Sequence, residues 1–78
     1  MTSETEIFIL CENIKRLRKK ERLSKKEMAR IMGIGIRSVT MLENGMLPVR
    51  MEAETLWRLK LHFGISIEYL FSKLIEAE

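Results

Sequence analysis

Ten lysines and arginines fall between positions 13 and 37, opposed only by Glu21 and Glu27, whereas positions 46 to 78 carry four basic residues against five acidic ones. The chemistry open to such a segment is non-covalent. Guanidinium and ammonium groups neutralise phosphate and release its counterions, so a localised basic half suits a nucleic-acid backbone. The same pattern also serves as a solvated face that keeps a protein in solution. Covalent chemistry lacks its parts. His62 is the one histidine and has no second His, Cys or Asp nearby at ligand spacing. Ser38 has no base partner, and no glycine-rich phosphate loop of the P-loop or dinucleotide type occurs. Cys11 is the single cysteine, so no internal disulfide framework exists; it falls on an apolar stripe and fits a reducing compartment. No catalytic set, metal site or cofactor is expected.

The basic segment overlaps a second pattern that explains how its charges are held. Between Lys25 and Asn44 the residues Met28, Ala29, Met32, Gly33, Ile34, Val39 and Leu42 suit two short helices crossing closely around a tight turn. Ala29 lets the helices approach, Gly33 supplies φ > 0 at the reversal, and Val39 and Leu42 fill the angle between them. This is the pattern of a helix-turn-helix. Its first helix starts at Ser24, which with Glu27 spells a capping box, and runs to about Met32. Its second spans about Ile36 to Glu43, and Asn44-Gly45 supplies a left-handed stop.

Three further helices complete the reading. Helix 1 starts after Ser3, shows an apolar stripe through Ile7, Leu10, Cys11, Ile14 and Leu17, and ends near Lys20. A loop around Pro48 precedes helix 4, from Met51 or Glu52 to Phe63, with Leu56, Leu59 and Phe63 inward. Helix 5 begins at Ser66 and continues to about Ile75, after which the chain is expected to fray. The fold class is all-α: five compact helices forming one helix-turn-helix domain over residues 1–78, with the motif at about 24–45. A chain of 78 residues holds one small core, near the size at which a partner helps. No apolar run approaches the ~20 residues of a membrane span, and the acidic Glu4 and Glu6 are unlike a signal peptide, so a cytoplasmic protein is expected.

Ile14, Leu17, Arg18, the Leu23-Ser24 helix start, Glu27, Ala29, Gly33-Ile34, Val39 and the Leu42-Glu43-Asn44-Gly45 string are followed by Leu56, Leu59, Phe63-Gly64 and Ser66. In combined spacing the chain resembles the Cro/C1-type (XRE) helix-turn-helix family. The resemblance implies a five-helix lambda-repressor-like DNA-binding domain whose second motif helix enters the major groove of double-stranded DNA. It makes Gly35, Ile36, Arg37, Thr40 and Met41 the candidate base readers, since they face away from Val39 and Leu42. Arg37 is the candidate for a bidentate guanine contact, and Thr40 for a thymine methyl or an acceptor. Ser24, Lys25, Lys26, Asn44 and Arg50 become candidates for phosphate. Arg18 and Glu43 match a family pair that forms a salt bridge from helix 1 to the end of the reading helix.

Departures from the family pattern open an alternative. Members often carry glutamines at the starts of both motif helices; Lys25 and Ile36 stand there, and isoleucine offers no hydrogen bond to adenine. Arg22 stands where a helix-ending glycine is common, and the loop after Gly45 is longer than usual. With Ile36, the side chains of Met41, Met46 and Leu47 make an apolar group that suits a protein-interaction or antitoxin-like module with weak or no specific readout. Trp57, Phe8, Ile9, Leu61, Tyr69 and Phe71 add apolar area that a homodimer would use, or that covers the core edge.

Overall fold

Capping chemistry marks the starts of two helices and the ends of several. In the computed structural model, which describes residues 4–48 and 51–76, the chain forms α1 (Glu4–Lys20), α2 (Lys25–Met32), α3 (Ile36–Glu43), α4 (Ala53–Phe63) and α5 (Ile67–Ser72). Among the described residues the fold is all-α, with no strand. The expected helix 1 cap, Ser3, lies outside them. At α2 the Ser24 hydroxyl accepts from the Glu27 amide at 3.0 Å, while the Glu27 carboxylate accepts from the Ser24 amide at 2.8 Å, a complete capping box. At α5 the Ser66 hydroxyl accepts from the Tyr69 amide. Helix 4 starts slightly later than expected, at Ala53, with Glu52 as its N-cap.

Three helices end in the same doubly bonded turn, in which the second residue past the helix end donates back across the last turn. After α2, Gly33 sits at φ 72° and the Ile34 amide reaches the Ala29 carbonyl at 3.0 Å. The positive φ favours glycine there; a β-carbon would also lie 2.9 Å from Arg58 Nε, in an exposed side chain that can move aside. After α3, the Met46 amide reaches the Met41 carbonyl at 2.8 Å. The expected Asn44-Gly45 stop forms there, with Gly45 at φ 81° as its left-handed residue and Asn44 at φ −95°. After α1, the Leu23 amide reaches the Arg18 carbonyl at 2.9 Å, and the left-handed position, φ 57°, is held by Arg22. An L-residue with a β-carbon in that region costs about 1–2 kcal/mol relative to the right-handed form.

The core gathers one stripe from each helix: Leu10, Cys11, Ile14 and Leu17 of α1, Met28, Ala29 and Met32 of α2, Val39 and Leu42 of α3, Leu59 of α4 and Leu70 of α5. Ile7, Leu23, Leu56, Phe63, Ile65 and Phe71 pack around it. Phe71 is therefore core edge and not surplus apolar surface. Helix α1 packs against α3 and α5, α2 against α3 and α4, and α4 against α5, so the two motif helices are gripped from opposite sides.

Helix 5 is shorter than expected. It ends at Ser72 and not near Ile75, Lys73 turns extended at φ −149°, and Ile75 is buried in the core beyond the helix end. The cause is Asn13, fully buried on α1. Its amide donates to the carbonyls of Leu70 and Lys73, each at 2.9 Å, and its side-chain oxygen accepts from the Ile75 amide at 2.8 Å. Arg16 adds a bond to the Ile75 carbonyl at 2.9 Å. A carboxamide has both donors and an acceptor, so one side chain satisfies a helix end and pins the strap that follows.

Candidate nucleic-acid interface

Helix α3 is eight residues long and amphipathic, and its burial splits sharply across its width. Val39 and Leu42 are fully buried, whereas Gly35, Ile36 and Arg37 at its start are exposed. The N-cap is Gly35, which supplies no side-chain bond, so the leading edge is not covered by a cap. Arg37 makes no ion pair among the described residues and extends into solvent. Thr40 and Met41, one turn on, are half-buried.

The far end of α3 is tied to α1. Arg18 of α1 grips Glu43 through two bonds, Nε to one carboxylate oxygen at 2.5 Å and a terminal nitrogen to the other at 3.0 Å. Its remaining terminal nitrogen donates to the Leu23 carbonyl at 2.9 Å. The pair is largely withdrawn from water, with 15% and 6% of the side chains accessible. Hydrogen bonding to Glu43 holds the Arg18 pKa above its ordinary value despite the opposing effect of burial. This two-pronged geometry joins α1, the α1–α2 turn and the end of α3 in one planar unit.

A chain whose two central helices cross around a glycine turn in this way matches the family model of a helix-turn-helix domain over residues 11–74. The chain belongs to this helix-turn-helix domain family. No curated protein and no solved structure matches it.

In this helix-turn-helix, Ser24 and Lys25 open α2 with Lys26 behind them. Ser24 and Lys26 are exposed, whereas Lys25 is half-buried because its side chain lies across the helix crossing, with Nζ 3.5 Å from Thr40 Oγ1 on α3. Glu27 shares that end of α2. Its carboxyl is held below the usual range, first by the Ser24 amide and then by the Ser24 hydroxyl. Asn44 is exposed beyond the end of α3. Arg50 lies outside the described residues. The structure thus brings Lys25 and Thr40 together, a contact that sequence reading does not predict, because no periodicity relates residues on two helices. It also exposes Ile36, Met46 and Leu47, at 48%, 54% and 41%. Trp57 and Leu61 are exposed on α4, with Lys60 Nζ 4.6 Å from the Trp57 ring centre. Apolar periodicity does not point to the buried Asn13, although a polar residue between Leu10 and Ile14 on the apolar side of α1 is a visible signal. His62 is exposed and stacks edge-on with Phe63, and no metal-holding group of His, Cys or Glu occurs among the described residues. No helix among them is long and apolar enough to cross a membrane.

Proposed function

We propose that this helix-turn-helix domain is a small, sequence-specific, double-stranded DNA-binding regulator of the Cro/C1 (XRE) kind. In this reading it acts in the cytoplasm as a homodimer, occupying an operator and so blocking or recruiting polymerase. The observation that carries the reading is the open leading edge of α3, exposed at Gly35, Ile36 and Arg37 and backed by a buried Val39 and Leu42. A helix held this way fits the major groove, which is ~12 Å wide.

The roles follow from reach and chemistry. Arg37 offers paired donors to guanine O6 and N7; Ile36 and Met41 offer apolar contact; Gly35 allows the backbone to come close; Thr40 lies one turn deeper. Ser24, Lys26 and Asn44 flank the edge and suit phosphate, the first two helped by the positive end of α2; Arg50 is a phosphate candidate from its place in the sequence alone. Arg18 and Glu43 hold the angle of α3 without touching DNA.

A second reading is favoured by the exposed Ile36, Met46 and Leu47: a protein-interaction or antitoxin-like module on the same fold. Selection from random duplex DNA at about 150 mM salt, which suppresses loose electrostatic binding, separates the two. An enriched palindrome supports the regulator. Enrichment of nothing, together with tight capture of a protein partner, supports the interaction module.

A further inference from the structure

Resting on the DNA-binding reading, we infer that Lys25 is a specificity determinant and not a phosphate clamp: Thr40 tethers its ammonium at the reading edge of α3, where with Arg37 it selects guanine. The adjacent lysines at the start of α2 behave differently. Lys26 is exposed, while Lys25 folds over the crossing to bring Nζ within 3.5 Å of Thr40 Oγ1. Thr40 stands three residues past Arg37 and four past Ile36, and residues at those spacings are neighbours on one helix surface. The ammonium therefore joins the same stripe as the two leading side chains of α3.

An ammonium carries three donors and no acceptor. The threonine oxygen occupies one at most, which leaves two for other acceptors. Of the base edges in the major groove, guanine presents two acceptors, O6 and N7, whereas adenine pairs an acceptor with a donor and is matched by Asn or Gln. The reading edge has neither amide: its start is Ile36, and its polar reach comes from Arg37, Lys25 and Thr40. Two cations on one edge point to a half-site with guanine at two positions. Thr40 acts here as a positioning residue, its hydroxyl turned to Lys25 and its methyl left for apolar contact.

The test is selection from random duplexes with wild type, Lys25→Ala, Thr40→Val and the double variant, each checked for helical content. Thr40→Val keeps the shape and methyl of the side chain and removes only the hydroxyl. The wild type is expected to enrich a site with two guanines per half. Lys25→Ala should lower the guanine preference about tenfold at one of them and spare the one read by Arg37. Thr40→Val should loosen that same position, with the double variant no worse than Lys25→Ala alone. If Lys25→Ala keeps every base preference and loses affinity equally on all duplexes, Lys25 is a phosphate contact and the inference fails while the DNA-binding reading stands. A loosened position under Thr40→Val that differs from the one under Lys25→Ala overturns the tether. A wild type that enriches no sequence overturns both the reading and the inference.

Discussion

At Arg37 an exposed guanidinium on the first turn of α3 makes no ion pair among the described residues, so its removal tests the proposed recognition without disturbing such a pair. Arg37→Ala is expected to leave the unfolding midpoint unchanged and to lose about 1–3 kcal/mol of discrimination at one base pair, measured by competition between cognate and mismatched duplexes. Equal loss on every duplex would contradict the assignment. Asn13 is the opposite case. Buried on α1, it serves two carbonyls and one amide of the C-terminal strap. Asn13→Ala strands all three, so a loss of about 2–4 kcal/mol is expected in urea unfolding, from the desolvation cost of unpaired buried groups. The same variant should expose the amide of Ile75 to rapid hydrogen exchange. A protected Ile75 amide in Asn13→Ala would show that apolar packing alone holds the strap.

Among the helices, the end of α1 carries a cost that the end of α2 avoids. Both close with the same pair of backbone bonds, but α2 uses Gly33 at its left-handed position and α1 uses Arg22. Arg22→Gly should therefore stabilise the domain by about 1 kcal/mol, a rise in Tm of about 4–8 °C for a domain of this size. No change would mean that the greater freedom of glycine in the unfolded chain offsets the relief. The start of α2 gives a pH signature. A carboxyl whose folded pKa lies below its unfolded value contributes stability that is present above the unfolded pKa and disappears as pH falls through the folded one. For Glu27 this means full stability at neutral pH and loss on acidification below the ordinary glutamate range, near pH 4. Glu27→Gln should flatten that part of the stability profile; a profile as steep as the wild type would place the acid sensitivity elsewhere.

At the scale of the whole molecule, small size and exposed apolar area on α4 argue for pairing. Trp57 and Leu61 stand four residues apart on one helix face, 49% and 67% exposed. If a second copy covers them, Trp57→Glu should shift sedimentation toward the monomer and weaken operator binding far more than binding to a single half-site. An unchanged sedimentation coefficient would return Trp57 to the core edge. The pair it makes with Lys60 then needs no partner.

The helices of the motif were legible because their causes are local. Capping pairs such as Ser24 with Glu27, a glycine at the reversal and a 3.6-residue stripe act within a few residues of one another, and sequence spacing displays such distances directly. Arg18 and Glu43 were legible only through likeness to a family, since 25 positions separate them. Tertiary structure alone decided the early end of α5, the burial of Ile75 and the turn of Lys25 toward Thr40. In each case the determining partner sits on another helix, and hydrogen-bond satisfaction between distant segments overrides the tendency of the local sequence to continue as it began.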